Sequence, residues 1–278
     1  MHLYTASLNS GSNGNCYYIG NKDEAVLVDA GLSCRETERR MKQSGLDISR
    51  VKAIFISHEH GDHIKGVEGL SAKHKLPIYI TPATLQQSRL RIPVGQVFSF
   101  KGYEPVTIGG LSIVAFPKLH DAIDPYSFVV SGNGVNIGVF TDIGAPCNHV
   151  IDNFKKCHAI FLEANYDEAM LANGRYPQHL KNRITGEHGH LSNNQALTLF
   201  LQHKPAHMRH VYLSHLSRDN NRPELALGLF AQHAGGTQVC VASRDEAGPV
   251  YTIQKKQDTL PPIIASQRPR ALHISLCW

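Results

Sequence analysis

The apolar run Val51 to Ile56 is followed, after a single serine, by His58-Glu59-His60-Gly61-Asp62-His63, and no other stretch constrains the fold as tightly. A short run of this composition reads as a strand. Four candidate ligands, His58, His60, Asp62 and His63, are therefore delivered together in a turn at that strand's end. Such groups suit borderline divalent cations, Zn²⁺, Mn²⁺ or Fe²⁺. Four ligands this close in the chain cannot all reach one small ion, so the spacing argues for two. A purely structural role would leave desolvated imidazoles beside a carboxylate, which is costly unless each is paired.

The 278 residues, 42% of them apolar, suffice for a well-buried core. The net charge of +5 permits a polyanionic partner but falls short of the footprint of a dedicated nucleic-acid-binding domain. Six cysteines are scattered without a C-x-x-C pair, which fits free thiols in a reducing compartment, so a cytoplasmic protein is expected. The first 15 residues lack the pattern of a signal peptide, and no run approaches the roughly 20 apolar residues of a membrane span. No membrane association is expected.

Strands are expected at Leu3 to Leu8, Cys16 to Ile19, Ala25 to Asp29, Val51 to Ile56 and Pro77 to Ile80, with a helix from Ser33 to Ser44 opened by a Ser33/Glu36 capping box and stopped at Gly45. Residues 96–140 read mostly as strands, with hairpin signals at Gly109-Gly110 and Gly132-Asn133-Gly134. The second half repeats the alternation: helices at 146–155, 192–203 and 222–233, and strands at 159–162, 211–213, 237–241 and 249–253. Two similar halves with helices outside imply a layered α/β architecture, two sheets face to face between helices. One domain is expected over residues 1–254, and a tail without clear period over 255–278.

Three further polar residues stand just past apolar strands, where α/β folds display groups around a crevice: His120 after 113–116, Asp142 after 135–140 and His215 after 211–213. Any one of them reads most simply as a turn residue. Three beside a four-ligand turn read as a site.

This arrangement resembles the metallo-β-lactamase superfamily, whose His-x-His-x-Asp-His signature is matched by His58, His60, Asp62 and His63 over a likeness that spans nearly the whole chain to about residue 254. The resemblance implies a four-layer αββα fold and two divalent ions: His58, His60 and His120 holding one, Asp62, His63 and His215 the other, and Asp142 bridging. Two such cations about 3.5–4 Å apart share a water, lower its pKa and clamp the attacking and leaving oxygens, so hydrolysis is the implied reaction. Zinc and manganese remain open, with iron a further option. Asp62 reads both as ligand and as proton acceptor.

Phe161-Leu162-Glu163-Ala164 and Gly189-His190-Leu191-Ser192 are similar to elements of the phosphodiesterase branch, in which Glu163 orients His190 and His190 holds a phosphate oxygen or protonates the leaving group. Ser192 and Gln195 form a capping box, which offers a helix N-terminus as an anion site on the side of His190. Residues 175–188 carry Arg175, His179, Lys181, Arg183 and His188, either as a solvated loop or as the lining of a nucleic-acid cleft; Lys181, Arg183 and Ser192 are the candidate substrate contacts. Arg218 and Arg222 extend that surface.

The Ser7 to Cys16 segment, His120-Asp121-Ala122 and residues 189–193 look like those of the YycJ/WalJ group of this superfamily, implicated in 5′-to-3′ exonuclease action on double-stranded DNA. The Ser/Asn/Gly-rich loop in that first segment is either a tight turn or a phosphate contact. Only 72 residues separate Asp142 from His215, too few for the inserted β-CASP domain of larger nucleases. The expectation is a dinuclear-metal phosphodiesterase acting on nucleic acid, double-stranded DNA first. The alternatives are a small-substrate hydrolase of cyclic phosphodiesters, thioesters or lactones, and a non-hydrolytic signalling scaffold.

Overall fold

The computed structural model describes residues 2–255, so the expected tail lies, after its first residue, outside the described residues. One sheet is built from β1 (His2–Asn9), β2 (Cys16–Gly20), β3 (Ala25–Val28), β4 (Val51–Phe55), β5 (Ile78–Tyr79) and β6 (Val97–Phe98). The second comprises β7 (Val106–Ile108), β8 (Leu111–Pro117), β9 (Tyr126–Gly132), β10 (Val135–Phe140), β11 (Ala159–Glu163), β12 (His210–Ser214) and β13 (Gln238–Val241). The last strand, β14 (Tyr251–Gln254), leaves the second half and pairs antiparallel with β1, with His2 opposite Gln254. The two halves are therefore similar in plan but not self-contained.

Each sheet is antiparallel on one side and parallel on the other. In the first, β3, β4, β5 and β6 are parallel neighbours; in the second, β10, β11, β12 and β13 are. Period-2 alternation sorts their side chains into layers. Val26, Val28, Ala53 and Phe55 meet Ile137, Val139, Phe161 and Tyr212 between the sheets. Leu27, Ile54 and Ile56 face the outer helices through Met41, Val67 and Leu70. Ile160, Leu162, Val211 and Leu213 pack against Val150, Phe154, Phe200 and Phe230 on the opposite side. Two mixed sheets between two helical layers make the four-layer αββα fold. No helix among the described residues is long and apolar enough to cross a membrane.

The expected helices are present at Cys34–Gln43, Asn148–Phe154, Asn193–His203 and Pro223–Ala231. The first carries only half of its expected capping box: Ser33 Oγ accepts from the Glu36 backbone, while the Glu36 carboxylate turns to Arg39 and Arg40. Residues 175–188 are not simply a loop, because Gln178–Thr185 is a helix with none of its residues buried. Its apolar side is short, only the half-buried Leu180 and Ile184 one turn apart.

Candidate metal centre

The site lies where strands of both sheets end together. β4 runs through Ser57 into the ligand turn; His60 precedes the short helix Gly61–Ile64, which carries Asp62 and His63. β8, β10 and β12 end before His120, Asp142 and His215, and β11 ends in Glu163. Asp142 and His215 have φ of +56° and +57°, a left-handed backbone that strains a side-chain-bearing residue and turns it sharply off its strand.

The ligand atoms converge in the groups read from the sequence. His58, His60 and His120 form one cluster and Asp62, His63 and His215 a second, each with its ligand atoms within 4.8 Å of one another. His58 Nε2 is 3.0 Å and His120 Nε2 3.4 Å from His60 Nδ1. Ligands about 2.0–2.1 Å from a tetrahedral ion stand about 3.4 Å apart, so this separation fits one cation. Asp142 stands between the clusters: Oδ2 is 3.2 Å from His63 Nε2, and Oδ1 is 3.9 Å from His120 Nε2 and 3.3 Å from His215 Nδ1. Asp142 Oδ2 and His215 Nε2 are buried without a hydrogen-bond partner. Orphaned buried polar atoms of this kind fit a cation that would satisfy them.

The two clusters differ electrostatically. Burial, with His63 and Lys118 nearby, pushes His58 well below the ordinary imidazole range, and burial pushes His120 down to about 3. Both are set neutral, as a metal ligand must be. Burial opposes the charged form of His63 and His215 too, but carboxylates outweigh it: Asp142, Asp29 and Asp62 raise His63 well above its usual value, and Asp142, Asp62 and Glu163 raise His215 to about 10. Asp142 is held well below the usual carboxylate range, its burial outweighed by His215 and His63.

Groups behind the ligands aim them. Glu163, fully buried, meets His190 Nδ1 at 2.7 Å and His215 Nδ1 at 3.0 Å through Oε1, and accepts the Ile143 N–H at 2.6 Å through Oε2. Burial works against its charge, but His190 and His215 hold its carboxyl down to about 2. His120 Nδ1 is 3.1 Å from the Gly189 carbonyl, which directs its Nε2 inward.

Residues that the sequence reading missed complete the frame. Asp29, buried at the end of β3 with φ +60°, accepts the Ser57 N–H (2.8 Å) and Ser57 O–H (2.8 Å) and meets His63 Nδ1 at 2.7 Å. It obeys the same one-polar-residue-after-a-strand pattern as Asp142, and that pattern could have found it. Asn15 Nδ2 reaches Asp62 Oδ2 and His63 Nε2, both at 3.1 Å, so the Ser/Asn/Gly-rich loop braces the ligand turn. Gly31 is required beside it, since a Cβ there would stand 1.7 Å from the Asp62 carbonyl oxygen.

The candidate substrate contacts are differently placed. Ser192 is buried; its hydroxyl donates to Glu168 (2.8 Å) and accepts from the Gln195 backbone (3.1 Å), while Asn193 N–H donates to the Tyr166 carbonyl. The expected capping box is complete, and the Ser192 hydroxyl and Asn193 N–H both have partners within the protein. Lys181 Nζ donates to the Ala172 carbonyl at 2.6 Å, and Arg183 pairs with Asp121. Both side chains keep further N–H donors beyond these contacts.

The sequence family described as "Beta-lactamase superfamily domain" matches residues 24–216. The chain is 37% identical over 229 residues to Exodeoxyribonuclease YycJ of Bacillus anthracis, covering 81% of this chain and 87% of that protein. It is 32% identical over 224 residues to Exodeoxyribonuclease WalJ of Streptococcus pneumoniae, covering 79% and 83%. The crystal structure of the metallo-β-lactamase fold protein YhfI from Bacillus subtilis superposes with a TM-score of 0.71 at 17% identity, covering 91% of this chain and all of that one.

Proposed function

This chain belongs to the metallo-β-lactamase superfamily as one of its YycJ-like members, and from that premise we propose that it is a dinuclear-metal nuclease shortening double-stranded DNA from the 5′ end. That it is a metal-dependent hydrolase follows from the family. The observation that carries phosphodiester chemistry is the 2.7 Å contact of Glu163 with His190 beside the ligand clusters. A thioester or lactone hydrolase has less need of an extra acid there.

His58, His60 and His120 would hold one divalent ion, Asp62, His63 and His215 the other, and Asp142 would lie between them. Bound there, the ions supply a water acidified to near neutrality and a clamp for the attacking and leaving oxygens. The chain's own part is orientation and proton transfer. Ionised Glu163 accepts a hydrogen bond from His190 Nδ1–H, and with His190 protonated on both nitrogens its Nε2–H is aimed to meet a phosphate oxygen or to protonate the departing alkoxide. Asp62, its side chain 20% exposed, serves as ligand and as acceptor of the proton released by the attacking water.

Arg175, Arg218 and Arg222 are exposed, and exposed guanidinium groups bind a nucleic-acid backbone by neutralising phosphates. Cys16, Cys34, Cys147, Cys157 and Cys240 are all free, in accord with the reducing cytoplasm in which we place the protein.

The test incubates Mn²⁺- or Zn²⁺-loaded protein with end-labelled duplex DNA, single-stranded RNA and bis-p-nitrophenyl phosphate, with Asp142→Ala and His190→Ala as variants. Metal-dependent shortening of the duplex from its 5′ end, lost in both variants while His190→Ala retains its metal, is the expected outcome. Cleavage of the small diester alone would move the protein to small-molecule phosphodiesterases, and full turnover by His190→Ala would remove His190 from the chemistry.

A further inference from the structure

Behind His215 the chain forms a second cavity, of about 320 Å³, lined among others by Ser10, Ser217, Arg218, Asn221, Ser243 and Arg244. None of these residues belongs to the ligand clusters. Its volume is at the small end of ligand pockets, enough for one nucleotide-sized group and not for a duplex.

Two of its walls are cationic. Arg244 Nη1 is buried and has no hydrogen-bond partner among the described residues. A buried guanidinium donor left unpaired is costly, and an anion is the group that relieves it most effectively. Arg218, exposed at the rim, forms no ion pair among the described residues. Asp245 also lines the cavity, so the two guanidinium groups exceed the acid by one charge. The Ser217 and Ser243 hydroxyls add donors of the kind that hold phosphate oxygens.

The cavity is tied to the metal centre by the Ser/Asn/Gly-rich loop. Ser10 Oγ accepts the His215 backbone N–H at 2.7 Å, and Ser10 N–H donates to the Ser243 carbonyl at 3.0 Å. Asn13 Nδ2 donates to the Arg244 carbonyl at 2.8 Å, while Asn15, two residues on, holds Asp62 and His63. Gly11 lets the loop close on the arginine segment: its φ is +153°, and a Cβ there would stand 3.3 Å from Arg244 Cβ. One loop thus sets the distance between the ligand turn and the arginine-lined cavity.

We propose that this cavity is a terminal-phosphate subsite, in which Arg218 and Arg244 grip the 5′-phosphate of the end nucleotide while the next phosphodiester lies at the metal centre. The proposal rests on the nuclease reading above. It makes end recognition a property of the chain itself, and fixes how far from the end each cut falls.

Two measurements test it on the metal-loaded protein. The first compares kcat/KM on duplex DNA with 5′-phosphate and 5′-hydroxyl ends, for the parent chain, Arg244→Gln and Arg218→Ala, each with its melting temperature recorded. A preference for the phosphate of about 10-fold or more in the parent, collapsing towards unity in the variants, is expected from losing a charge-assisted contact. Indifference of the parent to the end group, or an unchanged preference in both variants, overturns the subsite. The second titrates deoxyadenosine 5′-monophosphate against deoxyadenosine calorimetrically and needs no turnover. Tighter binding of the monophosphate, weakened about 10-fold in the variants, supports the subsite even if no DNA is cut, in which case only the nuclease reading fails. Equal affinity for parent and variants overturns it even if DNA is cut. Arg218→Ala, exposed at the rim, keeps the test meaningful should Arg244→Gln fold poorly.

Discussion

Replacing Asp29 by Asn should weaken metal binding although Asp29 is not itself a member of either ligand cluster. The Asp29 carboxylate accepts from Ser57 N–H at Oδ1 and from Ser57 O–H at Oδ2, and Oδ2 also stands 2.7 Å from His63 Nδ1. Asparagine offers one oxygen and one NH₂ in the same space, and it tolerates the left-handed backbone at φ +60° about as well as aspartate. The NH₂ cannot face Ser57 N–H, because a backbone donor cannot reverse. It must therefore face Ser57 Oγ and His63 Nδ1. Ser57 Oγ can turn to accept only by sending its proton to His58 Nδ1 at 2.9 Å, which puts the His58 proton on Nε2, an atom of the first cluster. His63 can relieve the conflict only by moving its proton from Nδ1 to Nε2, the atom needed for a cation. Losing such a support typically costs about 10–100-fold in metal affinity, or about 1.4–2.8 kcal/mol. Competition with a chromophoric chelator on the purified variant reads this directly, with metal stoichiometry by elemental analysis and a melting curve in chelator as the fold control. Two ions bound with parental affinity by a variant of unchanged melting temperature would refute the tautomer argument.

Gly31→Ala drives a methyl to 1.7 Å from the Asp62 carbonyl, so the ligand turn must shift; a stability loss of about 1–3 kcal/mol by urea unfolding, with reduced metal content, is expected. Metal loading at pH 7 should release about two protons, from His63 and His215, whose metal-free forms the surrounding carboxylates keep charged. Affinity should accordingly rise with pH, and calorimetry in two buffers of different ionisation enthalpy counts the protons; a count of zero contradicts the assignment. Phe161→Ala empties a fully buried position between Tyr17 and Tyr212, each with its ring centroid 4.7 Å away, and should cost about 3–5 kcal/mol in denaturant unfolding.

The convergence of the candidate ligands was legible because metal chemistry needs few residue types and places them at strand ends, and because one turn carries four of them. The fold followed from alternation between short apolar runs and helical patterns. What stayed hidden has physical causes. Asp29 stands at a strand end as Asp142 does, but its task appears only once β3 and β4 lie parallel and bring Ser57 beside it. The apolar residues of the helix Gln178–Thr185 are only the half-buried Leu180 and Ile184, one turn apart and too few to mark a period, and the basic residues within it gave no sign of partners as distant in sequence as Asp121. For β14, alternation identifies a strand but not its neighbour; the pairing with β1 is non-local, and nothing in residues 249–253 encodes it.

That pairing dictates an order of assembly during synthesis. Until Gln254 has left the ribosome, β1 keeps an unpaired row of backbone donors and acceptors along its outer side, an open template for any extended segment nearby. The ligand turn emerges early, yet His215, which completes its second cluster, follows more than 150 residues later. The completed cluster and the sealed sheet therefore arrive close together, long after the ligand turn has emerged.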